Sequence, residues 1–177
     1  MTRYSAILLL VLCLAGCSKP QPPTLLDQDP GFTFELPANW WVDDLDPNTA
    51  TQTAWTDKAN HGKIFVAVTP LKPDEQKLAA SIEDYGNSYV QYGILQNSRF
   101  SGVSIDKSEP SSLGGEPAYE IVFSATMNQK PRWRRTVLAT IPNRPNRLVT
   151  LAFMADPGQE SNYRDQFQQV LDSWKWN

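Results

Sequence analysis

The chain predicts an α+β domain, one antiparallel β-sheet flanked by helices, and three observations carry that expectation. Period-2 alternation of apolar and polar residues runs from Val103 to Ala155 and is broken at near-regular intervals by turn signals. Earlier strand-like segments are separated from this block by an apolar stripe with helical spacing after Pro73. A second helical stripe closes the chain after Asp156. Helices segregated from runs of strands give layers of helix on an antiparallel sheet. The expected organisation is residues 1–16 as a signal peptide, 17–30 as an anchor and tether, and 31–177 as one folded domain.

The first element is an address. Arg3 precedes an unbroken apolar run from Ala6 to Ala15, and Leu14-Ala15-Gly16 sets small residues directly before Cys17. A positive start, about 7–15 apolar residues and small residues at the cut form a secretory signal. The run is half of the roughly 20 residues that a membrane span needs. Leu14-Ala15-Gly16-Cys17 resembles the lipobox of bacterial lipoproteins at all four positions, which implies removal of residues 1–16 and diacylation of the Cys17 thiol. With about 0.8 kcal/mol per buried methylene, two or three acyl chains would hold the mature chain on its membrane essentially permanently. Ser18 points, by analogy with lipoprotein sorting in enteric bacteria, to the outer membrane facing the periplasm; the rule does not extend to all bacteria, so the inner membrane stays open. The Pro-rich segment from Ser18 to Thr24 is a spacer, extended at about 3.1 Å per residue.

The folded part begins near Gly31. Phe32, Phe34 and Leu36 alternate with Thr33 and Glu35, and Pro37 ends that strand. Trp40-Trp41-Val42 resumes an extended segment, Asp43 to Asn48 makes a polar loop, residues 51–56 read as a weak strand, and Asn60-His61-Gly62 as a hairpin turn. Residues 64–68 are apolar on both faces, which places them centrally in the sheet. Leu78, Ile82, Tyr85, Tyr89 and Tyr92 form one stripe of a helix over residues 74–91, packed on the sheet. Gly86 inside it costs about 1 kcal/mol relative to alanine. Turns at residues 111–117, 128–131 and 143–146 divide the meander. In the last helix Asp156 is the expected N-cap, Pro157 the first helical residue and Gln159 the capping-box partner, with Tyr163, Phe167, Val170 or Leu171, and Trp174 buried.

This order of parts is similar to the PsbP-like fold. Gly31-Phe32-Thr33-Phe34-Glu35-Leu36-Pro37-Ala38-Asn39-Trp40 resembles the family's opening strand. Gly114-Gly115-Glu116-Pro117-Ala118-Tyr119 resembles the turn into its central hairpin, and Phe167 to Trp174 its closing helix. The resemblance spans residues 31–176 and implies an α/β/α sandwich. The fold is shared by DcrB-like envelope lipoproteins, the photosystem II protein PsbP and a Ran-binding nuclear-import protein. Their common property, binding protein partners, implies a non-enzymatic role here.

Composition narrows the classes further. The chain of 177 residues carries a formal charge of −3, and losing residues 1–16 removes one basic residue and no acidic one. A mildly acidic surface lacks the basic footprint of a polyanion binder, and the compartment excludes nucleic acid as a partner. Cys13 leaves with the signal and Cys17 is consumed by lipid, so the domain relies on a packed core instead of disulfides. His61 is the sole histidine and no Gly-x-Ser-x-Gly elbow occurs, so neither a metal site, a cofactor nor a catalytic residue is expected. Asp43, Asp44 and Asp46 lack the glycine and distal glutamate of a calcium loop and read as a solvated turn. Arg132-Trp133-Arg134-Arg135 is the candidate partner-binding surface, because arginine and tryptophan are enriched at binding hot spots. On a strand, Arg132 and Arg134 share one face while Trp133 and Arg135 share the other; the competing reading is a strand end with solvated charges and Trp133 covering the core edge. The expected function is a membrane-anchored, non-enzymatic accessory protein for an envelope protein partner. The alternative is a module that holds an envelope glycan or lipid between the tyrosine-striped helix and the sheet.

Overall fold

The computed structural model describes residues 31–42, 52–57 and 61–177. The signal peptide, Cys17, the tether and the loop with Asp43, Asp44 and Asp46 lie outside the described residues. In chain order the elements are β1 (Phe32–Thr33), β2 (Trp40–Val42), β3 (Gln52–Asp57), β4 (Gly62–Pro70), α1 (Pro73–Ala79), α2 (Ile82–Ser88), a π-helical segment (Tyr89–Leu95), β5 (Phe100–Leu113), β6 (Glu116–Met127), β7 (Lys130–Ile141), β8 (Arg144–Ala155), α3 (Glu160–Ser173) and β9 (Lys175–Trp176). Strands β2 to β8 form one antiparallel sheet in the order β2-β3-β4-β8-β7-β6-β5.

The expectation of a single sheet is corrected by a second, two-stranded one, in which β1 pairs antiparallel with β9. The reason lies in what Phe32 and Phe34 pack against. Phe32 stacks on Trp174 at 4.4 Å and Phe34 on the same ring at 5.3 Å, so the opening segment is drawn to the end of α3. Asn177 N donates to Gly31 O at 3.0 Å and ties the two ends together.

Local chemistry sets the hairpins. Gly114 and Gly115 have φ of +56° and +86°, and Asn128 and Gln129 have +49° and +65°. Two consecutive left-handed residues make the tight turns whose twist matches that of the flanking strands. Two bulges, between Ser101 and Ser104 and between Ile105 and Lys107, interrupt the pairing of β5. They sit on the edge strand, where bulges oppose pairing with other chains.

The sheet separates two cores. On one face Tyr163, Phe167 and Val170 of α3, with Trp174 directly after it, pack on Ile64, Val66, Val137, Leu151 and Phe153. These are the residues the stripe assigned to the last helix. On the other face α1, α2 and the π-helical segment cover Tyr119, Ile121, Phe123, Leu138 and Leu148. β4 is third in the sheet, with Ile64 and Val66 fully buried, as its two-sided apolar character requires.

Two helical expectations are revised. The helix over 74–91 is three pieces. Ser81 breaks it, its side chain accepting from Asp84 N at 3.2 Å to start α2, and a π-helical segment follows α2. Ile82, Tyr85 and Tyr89 of the expected stripe pack on the sheet, and the wider turn brings Val90 and Ile94 to the buried side after them. Tyr92, expected on that stripe, is 68% exposed. The last helix starts at Glu160 with Gln159 at its N-cap. Gly158, at φ +80°, turns the chain first, and the Asp156 carboxylate is taken by Arg132 and His61.

Candidate functional site

The four residues Arg132 to Arg135 lie on β7, and strand alternation sends them to both faces of the sheet. Trp133 stacks parallel to Phe167 at 6.3 Å and packs against the α3-side core, so its role is to cover the core edge. Arg135 shares that face and donates from Nε to Glu120. On the opposite face Arg132 pairs with Asp156. Arg134 is partly buried; its guanidinium lies 6.0 Å from the centroid of Phe123, and Nε donates to Thr136 Oγ1 at 3.0 Å. The segment therefore presents no single four-residue patch.

Around it the structure assembles two ionic groups that periodicity did not reveal. The first centres on Glu120, whose side chain is only 6% exposed; Lys107 Nζ lies 2.8 Å from Oε2, and Arg135 pairs with Oε1. Lys107 also reaches Glu109 at 2.9 Å. Burial pushes the Glu120 carboxyl up, but the Lys107 hydrogen bond and the Arg135 charge outweigh it, so its pKa lies below the ordinary carboxylate value. The hydrogen bonds from Lys107 to Glu120 and Glu109 hold the Lys107 ammonium above its usual value. The second group joins Asp156, Arg132 and His61, with His61 Nδ1 2.9 Å from Asp156 Oδ2. Beside it, Asp57 Oδ1 accepts from His61 N and Gly62 N, both at 2.9 Å, and Oδ2 accepts from the Tyr163 hydroxyl. Burial and Asp57 push the Tyr163 phenol up to about 12.

The Glu120 node makes a pH prediction. A carboxyl whose folded pKa is depressed stabilises the fold above its unfolded value, near 4.5, and that contribution is lost as pH falls through the folded value. Melting temperatures of the native chain are expected to fall on acidification below pH 4.5 more steeply than those of Glu120→Gln, which has no proton to take up there. Equal slopes would refute the coupling. At neutral pH the variant should lose about 1–3 kcal/mol, because Arg135 keeps its charge without its carboxylate partner while Lys107 retains Glu109.

The Tyr85 and Tyr89 side chains pack against the second core, and Gly86 sits directly on the Tyr119 ring, where an added Cβ would overlap the ring atoms. The Tyr119 hydroxyl donates to Asn87 Oδ1 at 2.7 Å and lies 2.9 Å from Ser108 Oγ, which holds the ring in place. Tyr92 and Leu95, 68% and 47% exposed, are the large apolar side chains left in solvent among the described residues. An open groove of about 610 Å³ runs between α3 and the β5–β6 turn, lined by Ser111, Gly115, Arg135, Gln168 and Asp172 among others. Among the described residues no group of three or more His, Cys, Asp or Glu side chains is arranged to hold a metal ion. No described helix is long and apolar enough to cross a membrane.

Comparison with known proteins places this geometry. The solution structure of cyanobacterial PsbP (CyanoP) from Synechocystis sp. PCC 6803 superimposes with a TM-score of 0.61 at 13% identity, over 85% of this chain and 89% of that one. LpqN of Mycobacterium tuberculosis, described as involved in cell envelope biogenesis, gives 0.57 at 14% identity, over 84% and 86%. The Saccharomyces cerevisiae Ran-binding protein Mog1p gives 0.57 at 9% identity, over 82% and 90%. At such identities the likeness is one of fold. No curated protein sequence matches the chain. The family model for PsbP matches residues 24–176, and the chain is a member of the PsbP family.

Proposed function

We propose that this PsbP-family chain is a bacterial envelope lipoprotein, anchored by acyl chains on Cys17, that acts as a non-enzymatic accessory protein by docking an envelope protein partner. The observation that carries the reading is the exposed pair Tyr92 and Leu95, three residues apart on the π-helical segment. Tyrosine is among the residue types enriched at binding hot spots, and π-helical turns recur at functional sites. The close seating of Gly86 on Tyr119 supports this reading over a glycan or lipid lodged between that helix and the sheet. The lipobox supports the anchor, and Ser18 the outer membrane. The involvement of LpqN in cell envelope biogenesis and the Ran binding of Mog1p agree with a binding role on this fold.

A photo-crosslinking residue placed at position 92 in intact cells tests the interface. One envelope protein should be captured in near-stoichiometric yield, and Tyr92→Ser with Leu95→Ser should abolish a complex formed by the native chain without lowering its melting temperature. A bare lipoprotein after crosslinking would shift the reading to a small ligand. Radiolabelled palmitate tests the anchor: Cys17→Ala should lose the label and leave the membrane fraction, and a labelled variant would refute acylation at Cys17.

A further inference from the structure

The three arginines of β7 differ in one respect. Arg132 is paired with Asp156 and Arg135 with Glu120, but among the described residues no carboxylate lies within ion-pair distance of Arg134. Arg134 is partly buried like its two neighbours and lies opposite Phe123 on β6 and Met154 on β8 in the sheet register. Its Nε is held by Thr136, which is fully buried, and its guanidinium carbon lies over the Phe123 ring, 6.0 Å from the centroid. Burial works against its charge, and neighbouring Tyr89 works for it. Its two terminal nitrogens hold no described partner, yet they are not among the side-chain atoms sealed from solvent. A partly desolvated guanidinium gains from a carboxylate partner, and Arg132 and Arg135 each have one.

We infer that Arg134 is the binding residue of a carboxylate site on the helix-α2 face of the sheet, its two Nη atoms taking one carboxylate as a bidentate pair. The guanidinium fork matches the two oxygens of a planar carboxylate, and charge-assisted pairs of this geometry are the strong ones. With Nε committed to Thr136 and the ring of Phe123 beneath, the fork is oriented before the ligand arrives, which lowers the ordering cost of binding. One cation, with phenol, thioether and phenyl groups around it, neutralises one negative charge. A phosphate dianion would bring a second, uncompensated charge into the same partly desolvated place, so a carboxylate fits better. The inference does not rest on the Tyr92–Leu95 pair and holds whether or not that pair docks a protein.

The test follows the Arg134 Nε–Hε resonance of the isotope-labelled full chain in nonionic detergent. Sodium acetate, an acetylated aspartyl dipeptide amide, sodium phosphate and sodium chloride are added separately at constant ionic strength. A saturable shift with acetate or the peptide and none with chloride is the expected result. Several-fold tighter binding of the peptide than of acetate assigns the ligand to an acidic side chain of a protein, and equal binding to a small free acid. A shift that never saturates, or one that chloride reproduces, overturns the site, and tighter binding of phosphate overturns the carboxylate assignment. Arg134→Met separates binding from structure. Followed through the backbone amides of Phe123 and Met154, which lie opposite Arg134 and are also recorded in the native chain, the variant should lose the acetate response while melting close to the native temperature, because the lost Thr136 hydrogen bond is offset by removal of an unpaired cation. An unchanged acetate response in the variant, or a melting temperature lowered by more than the loss of one hydrogen bond accounts for, would mark Arg134 as a structural arginine and sink the proposal.

Discussion

Phe167→Ala is expected to destabilise the domain by about 3–5 kcal/mol, the range for truncating a large aromatic in a packed core. Phe167 is 1% exposed and joins four rings: Phe153 at 4.6 Å, Tyr163 at 5.8 Å, Trp40 at 6.1 Å and Trp133 at 6.3 Å. Those rings come from α3, β8, β7 and β2, so the cavity left by alanine would loosen the attachment of α3 to three strands at once. Each stacked or edge-on pair adds about 0.5–1.5 kcal/mol beyond its buried area. Thermal unfolding should show the midpoint lowered on the order of 10 °C. A shift of only a degree or two would mean that α3 is held elsewhere, through its Trp174 end.

Gly86→Ala is the second large effect and inverts the usual expectation for a helix. In an exposed helix this change stabilises by about 1 kcal/mol. Here the added methyl would fall on Tyr119, a ring 2% exposed and pinned at its hydroxyl by Asn87 and Ser108. Neither partner can yield without moving α2 off the sheet, so a loss of about 3 kcal/mol is expected, at the upper end for overpacking. Denaturant titration measures it. Combined with Phe167→Ala, the losses should add, because the two residues sit in separate cores on opposite faces of the sheet. A stabilised Gly86→Ala variant would show that the helix does not seat on Tyr119 as described.

What the sequence alone determined follows from short-range chemistry. Alternation along residues 119–127 and 133–141 identified most of strands β6 and β7, and the same period assigned Arg132 and Arg134 to one face and Trp133 and Arg135 to the other. The glycine pair at 114 and 115 marked a turn because left-handed backbone suits glycine. The spacing of Tyr163, Phe167, Val170 and Trp174 marked the buried side of α3, since 3.6 residues return to the same face. The family signatures at both ends of the domain were readable for the same reason: they are runs of consecutive residues.

Tertiary structure decided everything that depends on which distant residues meet. Glu120 reads locally as one more polar position on an alternating strand. It is a buried ionic node only because β5 and β7 flank β6 and bring Lys107 and Arg135 to it. Asp156 had the chemistry of an N-cap, but Arg132 and His61 lie within reach, and ion pairing took its carboxylate while Gly158 reset the start of α3. Phe32 and Phe34 showed strand periodicity, yet the stacking surface of Trp174 drew them away from the main sheet. Tyr92 shared a stripe with Tyr85 and Tyr89 on a regular helix, and one π-helical segment turned it into water. Arg134 differs from its neighbours in β7 by what does not meet it, a property that no local pattern encodes. In each case a backbone period sets the direction of a side chain, whereas its partner is set by the order of strands and by how closely the helices seat on them.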